Sequence, residues 1–375
     1  SAIVLNGKQG TALWAEKNQT YWTTSSTYCT KLAEWINDYN KSGKNGNYTE
    51  NRWQTLYKAA TYRNSEVAIG EGIKDKSTQL ITDIDLDRTK TLYDTLLFTP
   101  AGNTATLRFA EELMRREELG NDTTTDVLNI YLDAARYIAQ IYGPESIEYE
   151  DMLYSLDSTL AEFLTFLYAQ IPSRDDVVVV LTSDGGMSPT NVENSDSSRF
   201  NARQFGVIIN AFLSARYGQD SWVLGYADGS LYLNHDVIYR HKKSVAEVQN
   251  EAATFALQYR GVAAAVTATA LRSAQFSRGA LSLVQNGFHA RRSGDVMLVF
   301  DVERIHLDDK RVAMSGSVYN YDRHIPLIVS GGGLPTGRES SRVSNEQIAP
   351  TLAAIIGVER PQCSDAPILN IERQK

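Results

Sequence analysis

Apolar residues fall into short continuous runs separated by longer stretches with helical spacing. The continuous runs predict strands at 2–6, 126–131, 176–181, 296–300 and 325–330. The run Asp176-Val-Val-Val-Val-Leu181 has no polar alternation after its first residue, which suits a strand covered on both faces. Helical spacing predicts helices over 104–120, with Leu107, Ala110 and Leu113 on one face, and over 144–171, where Pro144 suits a first turn. A third covers 205–217, with Val207, Ile208, Ala211, Phe212 and Ala215 together. A fourth covers 345–356 and stops at Gly357, a C-cap signal. Strands alternating with helices predict an α/β protein: a layered fold with a mostly parallel central sheet and helices on both faces.

Two regions break the alternation. Residues 12–98 are rich in Tyr, Thr and Asn, with short helices expected at 29–39 and 51–60. Residues 219–294 open with a hairpin, 222–226 and 230–233, turning at Asp228-Gly229. Both are read as insertions that form a cap over the functional edge of the sheet. No internal repeat or low-complexity segment is visible.

Composition narrows the function classes. The 375 residues carry a net charge of −8, so a basic nucleic-acid-binding face is not expected over the molecule as a whole. No apolar run is long enough to span a membrane. The two cysteines, Cys29 and Cys363, are far apart and form no metal-binding motif; whether they pair stays open. The 20 tyrosines are expected mainly to pack apolar surface while satisfying their hydroxyls.

In such sheets ligands bind beyond the strand ends, so the loops there hold the candidate chemistry. After the 176–181 strand comes Thr182-Ser183-Asp184-Gly185-Gly186, where Asp184 would hold a metal, activate a nucleophile or simply close a turn. Before the last strand lies Tyr319-Asn320-Tyr321-Asp322-Arg323-His324. His324 is a metal-ligand candidate or a satisfied core histidine. His235 also sits beside an acid, Asp236, but within the cap, where a structural role is expected.

At these same segments the chain resembles the PafA-type alkaline phosphatases, within the alkaline phosphatase and type I phosphodiesterase superfamily. The resemblance rests on FTPAGNTATLRFAEELM (98–114), GPESIEYEDMLYSLD (143–157), VVVVLTSDGG (177–186), SWVLGYADGSLYLNHDVI (221–238), RSGDVMLVF (292–300), GSVYNYDRHIPLIVSGGG (316–333) and SNEQIAPTLAAIIGVERP (344–361). It implies an alkaline-phosphatase-like fold as one domain over 1–375, without the family's N-terminal part and with the cap insertions at 12–98 and 219–294. It also implies a two-zinc site with a threonine nucleophile, and a periplasmic or cell-surface location.

The family's ligand pattern can be laid on this chain residue by residue. Its first-strand Asp and its nucleophile have no counterpart. Its D-x-x-x-H pair falls on Arg136 and Gln140. Its Asp-His pair falls on Asp184 and Gly185. Its last His falls on His324. The Lys and Arg of its K-D-R segment fall on Asn6 and Lys8. Two retained ligands do not fix a zinc ion, so no cofactor is expected. Asn6, Lys8, Thr182 and Ser183 would line an altered pocket, and Arg136 is expected to pair with Asp184 in place of a metal.

The resemblance therefore implies a degenerate phosphatase-like protein, catalytically inactive, that binds a ligand or joins an assembly. A protein partner or an upstream segment would complete the sheet. The alternatives are a zinc-dependent phosphomonoesterase or phosphodiesterase completed by upstream sequence or another chain, and a fragment of a longer degenerate protein. A sulfatase is disfavoured, since Thr30-Lys31-Leu32 after Cys29 does not match the C-x-P-x-R context.

Overall fold

The structure, a computed structural model, describes residues 10–16, 21–44, 53, 55–58, 61–63, 99–190, 199–302, 304–306 and 311–371. Near the start, β1 (Trp14–Ala15) and β2 (Trp22–Thr23) pair antiparallel, and α1 (Glu34–Lys41) follows. Their apolar side chains close on α2 (Ala101–Arg116), where Trp22 stacks on Phe109 at 3.8 Å between ring centroids. Next come α3 (Ala134–Tyr142), α4 (Ile147–Gln170) and β3 (Val178–Thr182). Leu107, Ala110 and Met114 of α2 pack against Phe163 and Leu167 of α4 and against Val177. Ser146 starts α4 by accepting the Tyr149 backbone N–H at 3.0 Å.

One buried carboxylate fastens part of the Tyr-rich region to α4. Asp151 is fully buried and accepts from Trp53 Nε1 at 2.7 Å, the Leu56 backbone N–H at 2.8 Å and the Tyr62 hydroxyl at 2.6 Å. Burial, helped by this bond to Asp151, pushes the Tyr62 phenol up to about 12.

Residues 199–302 build a second layered unit. It contains β4 (Arg199–Phe200), α5 (Ala202–Tyr217), β5 (Val223–Ala227), β6 (Ser230–Leu233), α6 (His235–Arg240), α7 (Val245–Ala256), β7 (Val262–Thr267), α8 (Ala268–Ser273), α9 (Gly279–Gly287) and β8 (Val296–Phe300). Four strands form an antiparallel sheet in the order β5-β6-β8-β7. β8 is apolar throughout because both its faces are covered. Val296 and Leu298 join Phe205, Ile209, Leu213, Trp222 and Val248 in one core, while Met297 joins the cluster of Leu271, Phe276, Leu281, Val284 and Phe288 on the other face. The hairpin turns where Asp228 and Gly229 both take positive φ, 46° and 76°. Asn201, Asn234, Ser244 and Thr267 each cap a helix through a side-chain oxygen. Asp295 ties the unit together, accepting from the Leu233 backbone N–H, His235 Nε2 and Gln249 Nε2 at 2.7–2.8 Å.

Beyond it lie β9 (Ile305–His306), parallel to β4, then α10 (Asn320–Arg323), β10 (Leu327–Gly331) and α11 (Ile348–Ile356). β10 pairs antiparallel with β3, with Leu327 opposite Thr182 and Gly331 opposite Val178. Gly357 ends α11 in the left-handed conformation, φ 73°, as its position implied.

The α/β class holds, with changes in detail. Among the described residues the parallel pairing is confined to β4 with β9; the other ladders are antiparallel. The alternation of strands with helices was the reason to expect parallel strands, yet here helices also separate strands that pair antiparallel, as β7 and β8 do. Residues 126–131 form no ladder here; Val127 is 64% exposed, and the segment is held by Ile130 and Leu132 packing on the α2–α4 core. The 144–171 helix starts at Ile147, since Pro144 lies in the turn before the Ser146 cap, and α3 precedes it over residues for which no element had been expected. The 29–39 helix falls on Glu34–Lys41, and the described residues within 51–60 carry no helix. The expected strand at 2–6 lies outside the described residues.

Replacing Asp151 with Ala strands three donors. Unfolding free energy in urea should fall by about 3 kcal/mol. An unchanged midpoint would show that Asp151 does not fasten the 53–63 segment.

Candidate functional site

Antiparallel pairing sets the site. The carboxyl end of β3 lies beside the start of β10, so Asp184, two residues past β3, and His324, three before β10, emerge at one end of the ladder. A parallel arrangement would have put them at opposite ends. The loop after β3 is pressed onto α10: Gly186 donates its backbone N–H to the Asp322 carbonyl at 2.8 Å. A Cβ on Gly186 would lie 1.9 Å from the Tyr321 carbonyl oxygen, so only glycine fits this close approach.

Arg136, in the first turn of α3, reaches this loop. Its Nη2 donates to Asp184 Oδ2 and to the Tyr131 hydroxyl oxygen. Tyr131 in turn donates to Asp184 Oδ2 at 2.8 Å, and the guanidinium lies 5.7 Å from the Tyr131 ring centroid. The three groups form a closed triangle in which the carboxylate is served by a fixed cation and a hydroxyl. Burial pushes the Tyr131 phenol up to about 12, and its bond to Asp184 adds to the shift. Burial by itself would weaken the proton affinity of Arg136, but the Asp184 bond and neighbouring negative charge outweigh it and hold the guanidinium charged.

The other expected residues divide. Gln140 lies one turn after Arg136 and is buried; its carbonyl accepts from Val312 at 2.7 Å, fastening the 311–313 segment to α3. Gly185 leaves room, since a Cβ there would meet only the Asp322 carbonyl oxygen, at 3.6 Å. Thr182 and Ser183 turn away into local bonds: Thr182 Oγ1 donates to the Pro326 carbonyl at 2.8 Å, and Ser183 Oγ to the Gly185 carbonyl at 2.6 Å. The Thr182 hydroxyl thus ties β3 to the segment before β10, and the Ser183 hydroxyl closes the turn that carries Asp184. His324 is exposed, and among the described residues no hydrogen bond or ion pair joins its ring to Asp184. Asn6 and Lys8 lie outside the described residues.

Tyr131 was missed, having been read as the last residue of a strand. The signal available was its place five residues before Arg136, at a strand end facing the predicted site. Asp322 was seen only as part of the motif around His324. It is 5% exposed, accepts from the Ser317 backbone N–H at 2.6 Å through Oδ2, and has no hydrogen-bond partner for Oδ1.

These residues do not fit the two-zinc arrangement that the resemblance implies. Among the described residues no three His, Cys, Asp or Glu side chains gather as a metal would need. Asp184 Oδ2 is held instead by a guanidinium and a phenol.

The fold defines an alkaline-phosphatase-like α/β protein. The family model for type I phosphodiesterase / nucleotide pyrophosphatase matches residues 7–312, and the chain belongs to that family. Among curated proteins it is 28% identical over 361 residues to a "Calcium-transporting ATPase" of Myroides odoratus, covering 93% of this chain and 66% of that protein. It is 27% identical over 361 residues to alkaline phosphatase PafA of Elizabethkingia meningoseptica, covering 93% and 65%. It is 25% identical over 365 residues to alkaline phosphatase PhoV of Synechococcus elongatus, covering 96% and 66%. The chain thus spans just under two thirds of the length of these relatives. The crystal structure of wild-type PafA superposes with a TM-score of 0.87 at 24% identity, over 97% of this chain and 71% of that one, which shows the shared fold.

The raised Tyr131 affinity has a measurable sign. The folded state keeps this proton after the unfolded state has lost it, so the group costs stability as pH rises from 10 towards 12. A tyrosinate difference spectrum between the protein and its Tyr131→Phe variant should show ionisation near pH 12, moving to lower pH in Asp184→Asn. A midpoint near 10 that Asp184→Asn leaves in place would contradict the triangle.

Proposed function

We propose that this chain is a degenerate alkaline-phosphatase-like protein that does not hydrolyse phosphate esters and acts by binding or as a subunit of an assembly. The observation that carries this reading is the Arg136 guanidinium on Asp184. A guanidinium stays charged at any physiological pH and cannot ligate a metal. A zinc ion on Asp184 would have to displace a tethered cation and then sit beside it. Gln140 offers a neutral amide and Gly185 no side chain where the related pattern has imidazoles, so the deficit is chemical and extends beyond one substitution. Export to a periplasm or cell surface belongs to the same reading. So does completion of the sheet by a partner strand, for which the exposed Val127 and Leu128 of the unpaired 126–131 segment are the support.

The names of the relatives favour a second reading, a zinc-dependent phosphomonoesterase or phosphodiesterase completed by upstream sequence or another chain. In that case Asp184 exchanges Arg136 for a metal, and Arg136 must swing away.

Elemental analysis after incubation with zinc, together with hydrolysis of p-nitrophenyl phosphate, separates the two. We expect no stoichiometric zinc and no turnover above buffer. Stoichiometric zinc with turnover would overturn the non-catalytic reading. The Arg136→Asp, Gln140→His, Gly185→His triple variant should bind zinc where the parent does not, since the backbone at 185 has room for a side chain.

A further inference from the structure

Two tyrosine rings stand out from the surface beside the first turns of α4. Tyr57 and Tyr154 are 51 and 37% exposed, and Leu56, next in the chain to Tyr57, is 52% exposed. The two rings meet edge to face, with centroids 5.4 Å apart and planes at 86°. Both rest on Tyr62, which is buried, at 6.4 and 5.9 Å between centroids. Exposed apolar side chains scattered singly need no explanation, but an exposed pair in contact on a buried base does.

Hydrogen bonds fix that base. The Tyr62 hydroxyl donates to the buried Asp151 carboxylate and accepts the Tyr57 backbone N–H at 3.0 Å. The Leu56 backbone N–H also goes to Asp151. On the α4 side, the Tyr154 hydroxyl donates to Glu150 Oε1 at 3.0 Å, while Glu150 Oε2 accepts the Arg63 backbone N–H at 2.9 Å. Each oxygen of Glu150 therefore already has a donor, and Arg63 lies close enough for its charge to act on the Tyr154 phenol. The Tyr57 hydroxyl makes no hydrogen bond among the described residues. The rings are thus presented at a set angle, with a phenol and a guanidinium group beside them.

We infer that this corner binds the pyranose rings of a neutral glycan. Size decides against a folded partner. An aromatic side chain carries 150–250 Å², so the exposed part of these three residues comes to roughly 300 Å². A stable protein interface takes roughly 800 Å² from each partner, more than the corner supplies. One or two sugar rings fit it. One face of a pyranose is a layer of C–H bonds that packs on an aromatic ring, and its rim carries hydroxyls that both donate and accept. The free Tyr57 hydroxyl and Arg63 serve that rim. Geometry and charge decide against the other small ligands. A flat aromatic molecule stacks best in a slot between parallel faces, whereas these rings stand at 86°. An ammonium group needs an unpaired carboxylate, and Glu150 is already bonded at both oxygens.

Native electrophoresis of the whole chain through gels containing laminarin, mannan, xylan or alginate tests this. Retardation is expected in at least one of the three neutral polysaccharides. Each stacked ring contributes roughly tenfold in affinity, so Tyr57→Ala with Tyr154→Ala should weaken binding roughly 100-fold. Tyr57→Phe with Tyr154→Phe keeps the rings and should keep the retardation, which separates lost stacking from lost folding. Leu224→Ala with Tyr239→Ala, which removes exposed apolar side chains elsewhere, should change nothing. No retardation in any neutral polysaccharide, retardation in alginate alone, retention by the Ala pair, loss in the Phe pair, or equal loss in the Leu224 and Tyr239 pair would each overturn the inference.

Discussion

The antiparallel register of β3 with β10 is the constraint on which the site depends. It brings the end of one strand beside the start of the other, so the residues after Thr182 and those before Leu327 share one edge. The approach is then tightened by Gly186, whose missing Cβ lets the loop bond directly to the carbonyl of Asp322. Asp184 is thereby held on a short, pinned loop instead of a free one. That carboxylate is met by a cation from α3, Arg136, and by a hydroxyl from just before the helix, Tyr131.

The energy of that match is modest. Arg136 and Asp184 side chains are 39% and 56% exposed, so the pair contributes about 1 kcal/mol or less to stability. Its significance is occupancy. A tethered cation is present at unit concentration whatever the supply of metal, and it brings hydrogen-bonding geometry but no vacant coordination position at which a phosphoryl oxygen or water could be activated. On the proposed reading, the arrangement supplies the positive charge of a metal ion without its Lewis acidity.

Much of this was legible in the chain. The hairpin at Asp228-Gly229, the cap at Gly357 and the 296–300 strand follow from local chemistry that tertiary context does not override. The pairing of Arg136 with Asp184 was legible because a cation stood where a cation is ordinarily bound. Strand direction was not legible, since a run of apolar residues reports two covered faces and says nothing of the neighbour's polarity. Tyr131 was hidden for a related reason: in a strand its side-chain direction depends on ladder register, which no local pattern fixes. The bonds of Thr182 and Ser183 were also out of reach, because one hydroxyl meets a carbonyl 144 residues away and the other chooses its own turn.

The organisation of the cores separates the ladder edge that carries Asp184 from the largest body of buried side chains. The largest core gathers its buried side chains from residues 200–298 alone, around Trp222, Phe205 and Val296. The elements that carry Arg136 and Asp184 rest instead on the clusters of α2, α3 and α4. Substitution at the ladder edge therefore leaves the 199–302 unit with its sheet, its caps and its Asp295 hub intact. Side chains at the Asp184 edge can therefore be exchanged at little cost to the packing of the 199–302 unit.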